Sequence, residues 1–150
     1  MTDLPPSKRS AAAHLLNEVA ARGAFQLPCC TDCGVYCWPM HEVCPQCLGD
    51  VVLADAPRGA TLITTTPVLV PLAAYFRDPR IAWHAGLVAM EAGPSAISFV
   101  HPKAVAGDRL VLSLLLDRAG QAVLYGHPEG ADPAGDPQWQ ELTLPQSADA

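Results

Sequence analysis

The chain has 150 residues and a mass of 15.8 kDa; 50% of the residues are hydrophobic and only 16% charged, with a formal net charge of -6. That length suffices for one ordinary domain, or for a small metal module joined to a second compact unit, and the composition is too apolar for a disordered chain. A negative summed field repels phosphate backbones, which weighs against nucleic acid as a partner.

The opening MTDLPPSKRS has no apolar leader core, and no run of 18 apolar residues occurs in the chain, so the reading is a soluble cytoplasmic protein with no membrane partner. In a reducing compartment, clustered cysteines bind metal or do redox work more often than they form structural disulfides. Residues 10–23, SAAAHLLNEVAARG, predict a helix: Ser10 caps it, alanines favour it and Gly23 stops it. Leu15, Leu16 and Val19 would form its apolar side and Glu18 and Arg22 an exposed pair. So short a helix needs something to pack on, and it is also a potential docking element.

All six cysteines follow within CCTDCGVYCWPMHEVCPQC, residues 29–47. Two C-x2-C turns, Cys30/Cys33 and Cys44/Cys47, each present two thiolates from one tight bend, and together they supply the four ligands of a closed tetrahedral zinc site. Gly34 suits the positive φ such a turn requires, and Pro45 sets φ at the start of the second turn. Cys29 and Cys37 fit the spacing less well and read as packing residues, and a filled site leaves no vacancy for His41. A thioredoxin-type dithiol would stand alone at a helix start, and a catalytic zinc would need an open position; neither pattern is present.

Beyond Pro57 the chain turns β-like, with runs at residues 61–70, 81–90, 96–100, 109–116 and 122–125 separated by EAGPS, AVAGD and DRAGQ. Five strands with no helical period between them predict a small barrel of the OB type. Leu110, Leu112, Leu114 and Leu116 recur every second residue, and Val111 and Leu115 make much of the other face apolar, which marks a central strand. The connection PLAAYFRDPR, residues 71–80, puts Leu72, Tyr75 and Phe76 beside Arg77 and Arg80 in a segment that should be surface loop. These five are the candidate residues for recognising a partner or a ligand, and Trp83 next to them reads as barrel core. His14, His84, His101 and His127 are scattered without paired carboxylates, no hydrolase elbow, zinc-protease helix or phosphate loop is present, and no catalytic residues are assigned. The expected organisation is an N-terminal arm and helix (1–24), a zinc ribbon (25–56), a barrel (57–128) and an extended tail (129–150).

QLPCCTDCG, WPMHEVCPQC, the barrel opening GATLITTTPV and its close VAGDRLVLSLLLDRAGQAVLYGHP, in this order after a helix, resemble the acyl-CoA-associated family known as domain of unknown function thirty-five. The resemblance spans roughly residues 10–128 and is sharpest at the two cysteine turns with their ten-residue spacer. Family members carry an aromatic, two prolines and an arginine before the second turn; Trp38, Pro39, Met40 and His41 stand there, so the arginine is missing. Gly107 fits the glycine before the fourth barrel strand, and Tyr125-Gly126-His127-Pro128 is a loose form of the usual aromatic-arginine-proline ending.

The resemblance implies a rubredoxin-like zinc ribbon joined to an OB-fold, with one structural Zn2+. It implies a noncatalytic small subunit of a hetero-oligomer whose thiolase-like partner supplies the catalytic residues and acts on CoA thioesters, among them benzoylsuccinyl-CoA-like or steroid side-chain substrates. The rival from another class is a single-stranded nucleic-acid-binding OB-fold protein with a zinc ribbon. Nine Lys plus Arg against fifteen Asp plus Glu, with 6% aromatics, oppose it.

Overall fold

The computed structural model describes residues 4–143. A 3-10 turn (Ala13–Leu15) leads into helix α1 (Leu16–Ala21), with the Ser10 hydroxyl accepting the Ala13 N–H at 3.2 Å and Gly23 ending it at φ 68°. Its buried face is Leu16, Val19 and Ala20; Leu15 belongs to the tighter 3-10 turn, whose three-residue period puts it off that face and toward solvent. The Asn17 side-chain oxygen Oδ1 accepts the Ala122 N–H at 2.8 Å and ties the helix to the barrel.

Strands β1 (Gln26–Cys30) and β2 (Val51–Asp55) pair antiparallel, Cys30 opposite Val51, and bracket the cysteine turns. The barrel then comprises β3 (Gly59–Pro67), β4 (His84–Met90), β5 (Ser95–Val100), β6 (Arg109–Leu116) and β7 (Ala122–Pro128). The strands close in the order β3-β4-β5-β7-β6, all pairs antiparallel except β5 with β7. This is the expected mainly β architecture: an N-terminal helix, a two-stranded ribbon and a closed five-stranded barrel.

Leu110, Leu112 and Leu114 of β6 point inward against Leu62, Val88, Met90 and Val100. Phe25 and Leu27 from the ribbon and Leu16 and Val19 from α1 belong to the same cluster, so helix, ribbon and barrel share one core. Arg58 fixes their junction: its guanidinium stacks over Phe25 and donates to the Gly23 and Leu112 carbonyls. Gly86 lies across from the register shift in β3; a Cβ there would crowd Leu62, Val100 and the Thr64 carbonyl, so a larger residue would have to push the neighbouring strand side chains aside.

Two expectations change. Strand β3 stops at Pro67 and β4 starts at His84, because Pro67 and Pro71 withdraw N–H donors from the ladder; the connection is therefore 68–83. The segment after residue 128 is not an extended arm throughout: a 3-10 turn (Pro133–Gly135) capped by Asp132 precedes helix α2 (Pro137–Thr143), which packs on the barrel. Residues 144–150 of that segment lie outside the described residues. Among the described residues no helix is long and apolar enough to cross a membrane.

Candidate metal centre

The two C-x2-C turns face each other across the ribbon. Cys30 Sγ lies 3.4 Å from Cys47 Sγ and Cys33 Sγ 3.7 Å from Cys44 Sγ, and all four sulfurs fall within 4.8 Å of one another. Sulfurs placed tetrahedrally at 2.3 Å from one ion would stand about 3.8 Å apart, so the cluster has the dimensions of a four-thiolate site. In the first turn the N–H groups of Asp32 and Cys33 point at Cys30 Sγ, at 3.4 and 3.5 Å; in the second the Gln46 N–H points at Cys44 Sγ at 3.4 Å. Each turn closes identically, Gly34 N–H on the Cys30 carbonyl and Leu48 N–H on the Cys44 carbonyl, and both closing residues are left-handed, at φ 71° and 62°. Gly49 has no Cβ where the Asp32 side chain leans in, which lets the turns approach.

The electrostatics favour the Cys30 thiolate and resist those of Cys33 and Cys47. The Cys33 N–H is the largest influence holding the Cys30 thiol down to about 7, against some desolvation, with the Asp32 N–H assisting. The backbone at Gly49 favours the Cys47 thiolate, yet the Cys30 and Cys33 sulfurs prevail and push it up to about 12. Four sulfurs this close cannot all ionise in water, and a divalent cation removes that repulsion. The residues present therefore fit a bound metal ion.

The spare cysteines stand apart from the cluster. Cys29 makes only long sulfur contacts, to the Gly34 and Cys30 carbonyls at 3.6 and 3.8 Å. Cys37 is buried, which pushes its thiol up, and its N–H donates to the Pro28 carbonyl at 2.9 Å. His41 is exposed and outside the group.

The five recognition candidates divide. Tyr75 is buried, its hydroxyl donating to Glu141 of α2 at 2.9 Å, and Phe76 packs edge-on against Trp83 at 5.1 Å and near Phe99. With Tyr125, Leu142 and Trp139 they form an aromatic cluster outside the barrel interior, and Trp83 sits there rather than in the barrel core. Arg77 donates to the Pro71 and Leu72 carbonyls, and Arg80 pairs with Asp78 at 2.5 Å, holding that carboxyl down to about 2. Leu72 is the one apolar candidate left open. Leu69 and Val70, read as the end of a strand, are exposed beside it; the flanking Pro67 and Pro71 were the signal that the strand had already ended.

No family model matches the chain, and no curated protein matches it. The architecture matches a solved chain of the Ltp2-ChsH2(DUF35) aldolase. The superposition has a TM-score of 0.66 at 18% sequence identity and covers 83% of this chain and 98% of that one. At that identity the likeness is one of fold.

Proposed function

We propose that the protein is a noncatalytic, zinc-binding small subunit of a thiolase-type complex acting on CoA thioesters, a member of the domain-of-unknown-function-thirty-five family in a hetero-oligomer with its catalytic partner. The observation that carries this reading is the joint placement of a closed four-sulfur turn pair and a closed barrel in the arrangement of the Ltp2-ChsH2(DUF35) aldolase chain. Soft thiolates in a tetrahedral set select zinc, held by Cys30, Cys33, Cys44 and Cys47; bound there it would fold the ribbon and offer no open position for substrate. The ribbon (25–56) and α1 are the surfaces assigned to the enzyme partner; in the loop after β3, Tyr75, Phe76, Arg77 and Arg80 brace the fold and the exposed Leu72 is left for recognition.

Native-level tagging and purification, with the co-purifying protein identified by mass, tests the reading. A thiolase-like protein in stoichiometric amount supports it, with thioester turnover present in the complex and at background in the zinc-loaded chain alone. Thiolysis or condensation by the purified chain alone would falsify it.

A further inference from the structure

The connection between β3 and β4 holds three aliphatic side chains in water: Leu69 is 81%, Val70 85% and Leu72 95% exposed. This tip is braced. Arg77 donates from Nε to the Pro71 carbonyl and from Nη2 to the Leu72 carbonyl, each at 3.3 Å, while Val68 N–H bonds the Trp83 carbonyl at 2.8 Å. The Tyr75 hydroxyl anchors the same loop to α2. These bonds hold the tip projecting away from the barrel.

Beside the tip opens a recess of about 370 Å³ whose walls include Trp38, Phe76, Trp83, Ile97, Phe99 and Val123, with no charged side chain among its lining residues. Its edge residue Ile97 is 69% exposed. Apolar knob and apolar recess thus share one loop, Val68 belonging to the recess and Leu69 to the knob. A projecting tip has no walls for a small molecule, whereas it matches a concave apolar site of its own kind. Asp78 neutralises Arg80 at the foot of the loop, and the three tip side chains themselves carry no charge.

We propose that the occupant is a second copy of this chain: a two-fold dimer in which each tip, Leu69, Val70 and Leu72, seats in the other copy's recess. A patch carrying both halves of a contact is what an isologous interface requires. Burying about 100 Å² per aliphatic side chain, plus the recess walls, gives an interface smaller than the roughly 1,200 Å² of stable specific contacts, so the dimer is weak and reversible, with Kd on the order of 10–100 μM. It rests on neither the metal nor the enzyme partner, and in a hetero-oligomer it would join two small subunits.

The test is sedimentation of the purified zinc-loaded full chain from about 5 to about 500 μM, spanning that Kd. The wild type should pass from monomer to dimer. Leu72→Asp in the knob and Ile97→Asp at the recess should each weaken the dimer by at least about tenfold, with metal content and melting unchanged since both positions are exposed. Mixing the two variants should restore association partway, because one intact knob then meets one intact recess. A wild type that stays monomeric throughout, or a dimer indifferent to both substitutions, overturns the proposal.

Discussion

Leu48 closes the second cysteine turn with a left-handed backbone, at φ 62°, and its side chain is 76% exposed. Gly34 does the same in the first turn without a Cβ penalty. A non-glycine residue there costs about 1–2 kcal/mol, partly offset by the freedom glycine adds to the unfolded chain. Leu48→Gly should therefore stabilise by about 0.5–1 kcal/mol, read as a higher melting temperature at unchanged metal content. The sulfurs permit a sharper contrast. Cys33→Ser or Cys44→Ser should reduce metal affinity by more than the ~10–100-fold typical of losing an outer-shell partner, whereas Cys29→Ser and Cys37→Ser keep one metal per chain, as measured by elemental analysis. Full metal in Cys44→Ser with loss in Cys37→Ser would reassign the ligands. His127 adds a pH dependence. Its ring packs against Tyr125 with Nδ1 buried and unpartnered, and burial first, then His101, lowers its pKa below the usual value. The unfolded chain takes up that proton near pH 6.5 and the folded chain resists it, so this contribution is complete above about pH 6.5 and is lost progressively as pH falls toward the lower folded value. Melting temperature should drop across that window, and His127→Gln should flatten part of the drop.

Among the elements, α2 acts as a wedge. Gln138, fully buried, accepts the His84 N–H at the start of β4 at 2.6 Å and donates to the Val100 carbonyl at the end of β5 at 3.0 Å. Its amide stands where the β4–β5 ladder would have placed one more pair, beyond Ala85 opposite Phe99. Asp136, also buried, accepts from the Tyr125 hydroxyl at 2.7 Å and from the Gln138 amide at 3.0 Å, so the helix is pinned by groups that have no water to fall back on. Gln138→Leu keeps the volume but strands two backbone groups and one carboxylate contact. Denaturant unfolding should show a loss of about 2–4 kcal/mol, far above the few tenths typical of a surface change. A loss under 1 kcal/mol would mean that water replaces the amide.

Taken whole, the molecule has no internal seam between metal turns and barrel. Phe25 and Leu27, a few residues from Cys30, lie in the cluster of Leu62, Val88 and Leu110, and Arg58 ties the helix end to β6. Chelating the metal should therefore lower one cooperative calorimetric transition rather than melt the ribbon separately and leave the barrel unchanged. Two resolved transitions, with the upper one insensitive to chelator, would show that the ribbon folds independently.

The identity of the cysteine turns was legible in the sequence because C-x2-C spacing and the following Gly34 are local: two residues between thiols and one positive φ fix the bend without any distant contact. The barrel's interior stripe in β6 was legible for the same reason, since side chains alternate along a strand wherever it lies. Tertiary structure decided what depends on residues far apart in the chain. Tyr75 and Phe76 read as loop anchors until Trp83, Phe99 and α2 close around them, and Arg77 and Arg80 read as free cations until loop carbonyls and Asp78 engage them. The polar segment after residue 128 carries no apolar period strong enough to announce a packed helix. What buries it is Tyr125, Asp136 and Gln138 satisfying one another inside the fold, and such a match between polar groups leaves no trace in hydrophobic spacing.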